Sequence, residues 1–173
     1  MIQINYKKLY ENSKDPVRKY DVDAGFDLSA AWKKEKDLYV EYGTGIAFEI
    51  PVGYVGLVFP RSSITKVDYI LKNSVGVIDS SYRGEICLRF VKAYNETVFE
   101  IPEDEGVMKH SVENKLKHFI NINKTIKKEL TYYKIGDRIG QIVFQKLPDV
   151  KLNEVNELSK TIRNEDGFGS TGK

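Results

Sequence analysis

Cysteine is almost absent. Cys87 is the only one in 173 residues, so no internal disulfide can form, and the composition suits a reducing compartment. Histidine is nearly as scarce. His110 and His118 are the only two, neither has a cysteine or carboxylate at metal-ligand spacing, and both are read as incidental. Their confinement to one stretch removes any Ser/His/Asp set, and no P-loop pattern occurs. Charge of one sign is lacking as well. The 27 basic and 25 acidic residues are interspersed and leave a net charge of +2, too little for general nucleic-acid binding. No apolar run approaches the roughly 20 residues that a membrane span needs. Met1-Ile2-Gln3-Ile4-Asn5 also lacks the apolar stretch of a signal peptide. A cytoplasmic protein is expected. Any anion binding must then come from locally placed arginines and backbone N–H groups.

What is present is ordinary globular chain, 41% hydrophobic and 30% charged, long enough to bury a core without staples. A single domain over residues 1–173 is the default. Alternation of apolar and polar residues predicts a strand over Ile2–Tyr6 and another over Leu28–Trp32, then Leu38–Tyr42. Ile46–Ile50 and Tyr54–Phe59 read as a hairpin about Pro51-Val52-Gly53. Ile64–Leu71 contains a helical turn in this reading. Ser74–Ile78 and Glu85–Val91 read as a second hairpin, and Leu130–Ile135 and Arg138–Leu147 as a third about Gly136-Asp137. Short strands punctuated by Gly, Pro, Asp and Ser favour an all-β barrel or sandwich. Between them, over about 92–128, Met108, Val112, Leu116 and Phe119 recur at helical spacing and predict an amphipathic helix. That partly helical insertion is either a solvated segment packing one face on the body or a partner surface. The chain closes on a flexible tail, about 159–173.

Several polar stretches carry candidate chemistry. Asp27 and Asp79 each sit among apolar residues in what read as turns, where an aspartate either hydrogen-bonds the local backbone or serves a site. Arg61-Ser62-Ser63 closes a strand. A guanidinium with two hydroxyls suits phosphate, and a capped turn explains it equally. Gln141 is a lone amide in a strand dense in Ile, Val and Phe, either exposed on a half-buried strand or reaching into a site. Arg138 is a ligand or the partner of an acid. Gly167-Phe168-Gly169-Ser170-Thr171-Gly172 satisfies G-x-G-x-x-G, but no strand and helix flank it, so a dinucleotide fold is rejected. It is either a disordered tail or a lid whose hydroxyls and N–H groups close on phosphates.

Taken together these segments resemble the trimeric dUTP diphosphatases (dUTPases). Asp23–Leu28, Pro60–Ser63, Asn73–Glu85, Gly136–Phe144 and Arg163–Gly172 match the family's five motifs in order. Gly-Val-Ile-Asp-Ser-Ser-Tyr-Arg-Gly-Glu and the closing Gly-Phe-Gly-Ser-Thr-Gly are the most specific of them. The resemblance implies a distorted, jelly-roll-like β-barrel and a homotrimer whose three sites lie at subunit junctions. It also implies Mg²⁺-assisted hydrolysis of dUTP to dUMP and diphosphate, which limits uracil in DNA and supplies dUMP for thymidylate synthesis. Asp79 is then the base that activates water. Val77 and Ile78 pair with the uracil edge through their backbone, helped by the Asn73 amide, and Tyr82 packs under the deoxyribose. Arg61, Ser62, Ser63 and Gln141 hold the phosphates, with Gln141 also touching the water. Asp27 acts on the metal through its waters. Phe168 covers the uracil, while Arg163, Gly169, Ser170 and Thr171 close on the outer phosphates.

Two departures qualify that reading. Asn164 and Asp166 stand where the family usually has glycine, which stiffens the lid, and Glu165 and Asp166 place negative charge near a polyanion. The segment Ile86–Ile135 is also longer than in compact members. Some phage members carry extra segments there with regulatory partners, which suggests a phage-type enzyme and a partner surface. Two rivals share the features: a dCTP deaminase of the same fold, and a regulatory binding protein that keeps the nucleotide site as a switch.

Overall fold

The computed structural model describes residues 2–93 and 131–165. Among them lie β1 (Asn5–Lys8), β2 (Phe26–Ser29), β3 (Trp32–Lys36), β4 (Tyr39–Gly43), β5 (Ile46–Glu49) and β6 (Tyr54–Phe59). A 3₁₀ helix over Ser62–Lys66 is followed by β7 (Tyr69–Leu71), β8 (Gly76–Ile78), β9 (Cys87–Lys92) and β10 (Arg138–Lys146). The strands form two open four-stranded sheets, ordered β2-β10-β6-β8 and β3-β4-β9-β7, with β1 and β5 as a separate pair. Every one of these ladders is antiparallel.

Alternation explains why these segments form strands. In β9, Leu88 and Phe90 are buried while Cys87 and Arg89 face out, the period of two that lets one sheet face meet a core. The core gathers Leu28, Tyr42, Ile46, Ile86, Leu88, Phe90, Ile139 and Ile142, each 1% exposed or less. Tyr42 is its aromatic hub, edge-on to Phe90 at 5.9 Å and to Tyr69 at 6.0 Å between ring centroids. Its hydroxyl donates to the Tyr133 carbonyl at 2.9 Å, so the buried polar atom is satisfied.

The mainly β expectation holds, but the three hairpins do not. Among the described residues β5 pairs with β1 alone, and β6 pairs with β10 and β8. Pro51-Val52-Gly53 does reverse the chain, with Tyr54 N donating to Pro51 O at 3.1 Å and Gly53 at φ +84°, yet its arms go to different sheets. β8 joins β6, whereas β9 joins β4 and β7, so the segment between them bridges two sheets. Residues 131–135 form no strand. Gly136, at φ +89°, turns the chain into β10, and Ala30 locks that turn by donating to Asp137 O and accepting from Gly136 N. The strand expected over Leu28–Trp32 breaks at that same buried Ala30-Ala31 step into β2 and β3. The first strand lies later than expected, at Asn5–Lys8 rather than Ile2–Tyr6. The helical turn expected within Ile64–Leu71 is the 3₁₀ helix, which starts two residues earlier.

The expected amphipathic helix of the insertion lies outside the described residues, but its roots do not. Asp68 N donates to Thr131 O at 2.9 Å, its carboxylate accepts from Thr131 N at 2.7 Å, and its carbonyl accepts from Ala93 N at 2.9 Å. One residue thus joins both ends of the segment 94–130.

Candidate active site

Two strands and a turn build the first half of the site. Gln141 on β10 stands opposite Asp27 on β2 and Phe59 on β6, and the chain leaves β6 through Pro60 and Arg61 into the 3₁₀ helix. Arg61 Nε donates to Asp27 Oδ1 at 2.6 Å, and Arg138 Nη1 donates to Asp27 Oδ2 at 3.0 Å. Asp27 therefore sits in a strand rather than a turn, and both its oxygens are held by guanidinium groups. Arg138 is the partner of an acid, although the bond it makes joins β10 to β2 and closes no hairpin. Arg61 Nη1 donates to Ser63 Oγ at 3.1 Å, and Gln141 Nε2 donates to Pro60 O at 3.2 Å. Arg18, Lys19, Asp23 and Ser62 complete the wall of a cavity of about 420 Å³ around these groups. Four cationic side chains face it against two carboxylates, a balance that suits a polyanion.

Gly25 is a site residue that the motif reading passed over. A Cβ there would stand 2.6 Å from Gln141 Oε1 and 3.3 Å from Gln141 Cβ. The bare backbone at this position is what lets the amide lie where it does. Gly25→Ala is expected to leave the thermal midpoint nearly unchanged while lowering kcat/KM about tenfold to a hundredfold through a displaced Gln141. Circular-dichroism melting alongside steady-state turnover checks this, and wild-type turnover in the variant counts against the role given to Gly25.

The second half is built on β8, the outer strand of its sheet. Its outer edge, unpaired among the described residues, offers backbone donors and acceptors. Val77 is 63% exposed. Ser74 holds φ +58°, and Val75 N donates to Asn73 O at 2.5 Å, so the chain makes a tight turn just before the strand. After it, Tyr82 N donates to Asp79 O at 3.0 Å, and Arg83 Nη1 donates to Ser80 O and Tyr82 O at 2.7 and 3.0 Å. These bonds close the turn that displays Asp79, whose carboxylate is exposed and makes no hydrogen bond or ion pair among the described residues. Tyr82 lies across Gly84, where a Cβ would meet its hydroxyl at 2.3 Å, and that hydroxyl donates to Glu85 O at 3.0 Å. Asn73, Val77, Ile78, Asp79 and Tyr82 thereby line one cavity of about 450 Å³.

Glu85 anchors this turn to the body and was likewise missed in the sequence. One carboxylate oxygen accepts from Trp32 Nε1 at 2.9 Å and Gly45 N at 2.6 Å; the other accepts from Tyr10 Oη at 3.0 Å. Nearby Cys87 shows its side chain at the cavity wall, but desolvation by its neighbours, then the charges of Glu85 and Glu41, push its thiol up to about 12. It remains a thiol at neutral pH and is a poor nucleophile.

The expected residues therefore fall into two groups. Asp27, Arg61, Ser62 and Gln141 share one cavity. Asn73, Val77, Ile78, Asp79 and Tyr82 share another, and the two have no lining residue in common. Ser63 borders a third cavity beside Arg61. Arg163 lies in an exposed stretch, residues 147–165, that forms no strand or helix. Phe168, Gly169, Ser170 and Thr171 fall outside the described residues. Among the described residues no group of three or more His, Cys, Asp or Glu could hold a metal ion.

Comparison with known proteins gives these halves a common context. The dUTPase family model matches residues 11–107 and 101–172. The deoxyuridine 5'-triphosphate nucleotidohydrolase of Corynebacterium glutamicum is 35% identical over 165 residues, covering 91% of this chain and 87% of its own. The enzyme of that name from Nautilia profundicola is 32% identical, covering 99% of this chain and 100% of its own. Among solved structures, the dUTPase of Staphylococcus bacteriophage 80alpha with dUPNHPP superposes with a TM-score of 0.71 at 25% identity, covering all of both chains. On the family match and these identities, the chain belongs to the dUTPase family.

Proposed function

We infer that the chain hydrolyses dUTP to dUMP and diphosphate. The observation that carries this is the pairing of an unengaged carboxylate, Asp79, at the end of an open strand edge with a separate cation-rich cavity, on a chain of the dUTPase family. The edge of β8 reads the base: backbone N–H and C=O groups at Val77 and Ile78, with the Asn73 amide, match a uracil edge. A mismatched base leaves buried groups unpaired, which is costly. Tyr82, held over Gly84 by its bond to Glu85, is a rigid floor for the sugar and rejects a 2′-hydroxyl by clash. Asp79 orients a water and takes its proton as the water oxygen bonds to the α-phosphorus. The bond from that phosphorus to the bridging oxygen breaks, and diphosphate leaves. Gln141 contacts the α-phosphate and the water, and Arg61, Ser62 and Ser63 hold the outer phosphates.

Asp27 decides how Mg²⁺ fits. With one oxygen on Arg61 and the other on Arg138, its charge is already engaged by two guanidinium groups, and its remaining lone pairs can accept hydrogen bonds from a hydrated ion. That suits an ion carried on the triphosphate with most of its waters kept. When bound, Mg²⁺ would supply charge neutralisation at the phosphates.

Because the two cavities are separate within one chain, a complete site needs more than one copy. A homotrimer in which one subunit brings Arg61 and Gln141, a second brings Asp79 and a third brings its tail satisfies this. In that assembly Phe168 covers the base, and Arg163, Gly169, Ser170 and Thr171 close on the phosphates, excluding water. The test is diphosphate release from dUTP, UTP, dTTP and dCTP with Mg²⁺. The expected result is kcat/KM for dUTP exceeding each of the others by at least about a hundredfold, the scale of one rejected or mispaired group. Equal turnover of UTP removes the role of Tyr82, and release of ammonia from dCTP replaces this reading with a deaminase.

A further inference from the structure

Arg61 and Arg138 line a third cavity, of about 470 Å³, besides the one they share with Gln141. Its other cationic side chains are Lys66, at the end of the 3₁₀ helix, and Lys134, just before the Gly136 turn. Neither lysine makes an ion pair among the described residues. The one acid on the wall is Asp137, whose carboxylate accepts from Lys134 N at 2.7 Å. Four cations therefore face one carboxylate. The hydroxyl of Ser63 borders the same space, already aligned by Arg61 Nη1.

A second observation points to a polar occupant. Tyr133, on this wall, is 6% exposed, and its hydroxyl finds no hydrogen-bond partner among the described residues. A buried hydroxyl without a partner is uncommon and calls for an explanation. Burial pushes this phenol up, while the Arg61 guanidinium pulls it down, so the hydroxyl lies within reach of Arg61's charge. An anion seated against Arg61 on this wall would give that hydroxyl an acceptor.

We propose that this third cavity is a second anion subsite that takes inorganic diphosphate, with Lys66, Lys134, Arg61 and the Tyr133 hydroxyl as its contacts. The proposal rests on the hydrolase reading above, because that reaction makes diphosphate beside the two arginines common to both cavities. The product can pass from one face of these arginines to the other without leaving positive charge. The subsite is then a way station for the leaving group: it shares Arg61 with the contacts that hold dUTP and adds Lys66 and Lys134, which those contacts do not use.

Diphosphate inhibition of dUTP turnover at fixed free Mg²⁺ tests this, using the full chain and its Lys66→Ala, Lys134→Ala and Tyr133→Phe variants. Wild type should show a noncompetitive component. Each lysine variant should raise the diphosphate inhibition constant about tenfold with KM and kcat for dUTP unchanged, a loss typical of one charge-assisted contact. Tyr133→Phe, which keeps the packing, should raise it about threefold or more, the worth of one modest hydrogen bond. Purely competitive inhibition that no variant moves overturns the proposal, as does a KM that shifts in step with the inhibition constant. If wild type fails to turn over dUTP, the hydrolase reading falls. Calorimetric titration of diphosphate into wild type and Lys66→Ala then decides the subsite alone, equal affinity sinking it.

Discussion

Asp79→Asn lowers kcat for dUTP by about a hundredfold to ten-thousandfold, the usual worth of a positioned general base. The amide preserves shape and can still orient a water, but it cannot accept the proton. KM should change little, since Asp79 contributes no cation and no phosphate contact. The carboxylate is exposed and makes no hydrogen bond or ion pair among the described residues, so the thermal midpoint should stay at the wild-type value. A stopped assay of diphosphate release with a parallel melt measures both. Full activity in the variant removes Asp79 from the chemistry. The same variant also tests the divided site. Mixed with Arg61→Ala under conditions that exchange subunits, it should recover activity, because about one quarter of the sites in random cyclic trimers draw both intact halves. No recovery, from two variants that each still assemble, argues for sites made within single chains.

Asp27→Asn has the second large effect, and it acts on folding and turnover together. The Asp27 side chain is 16% exposed and joins Arg61, 24% exposed, to Arg138, 50% exposed. Removing the charge leaves two guanidinium groups facing each other across a strand pair. Breaking a fully buried ion pair by removing one partner costs about 3–5 kcal/mol. The partial exposure here, on the Arg138 side above all, reduces the expected loss to about 1–3 kcal/mol. Turnover should fall about a hundredfold, because Arg61 loses the 2.6 Å contact that fixes its Nε and phosphate positioning tolerates little displacement. Urea denaturation and steady-state kinetics read the two effects. If Arg138→Ala in the Asp27→Asn background costs as much as it does alone, the two residues are not coupled and the fork is not what holds Arg61.

The polar motifs were legible in the sequence because each is short and its chemistry is local. Arg61 with its two serines, the acid after Gly76-Val77-Ile78, and the amide within an apolar strand all stand at the walls of cavities. Strand positions were legible to within a few residues, because alternation is also local. Pairing was not. Pro51-Val52-Gly53 and Gly136-Asp137 announce a reversal of the chain, yet a reversal does not decide whether its two arms share a ladder. Here the arms were claimed by distant partners: β6 by β10, and β9 by β4. Gly25 went unread because its contribution is an absence, the room it leaves for Gln141. Glu85 was seen as the end of a motif, and its three donors come from Tyr10, Trp32 and Gly45, which no spacing rule connects. Tyr133 carried no signal, since an unsatisfied hydroxyl exists only once the chain has folded around it.

The seam at Asp68 bears on how such a chain can change over generations. Ala93 and Thr131 both bond to this one residue, so the segment 94–130 departs and returns at a single point on the body. Lengthening a flexible connection whose ends are already joined costs in general only about 0.6 kcal/mol for each doubling. Residues can be gained, lost or exchanged there while the two sheets keep their register. Asp68 is thus the fastening of this segment, and a change in its length falls outside the ladders of the two sheets.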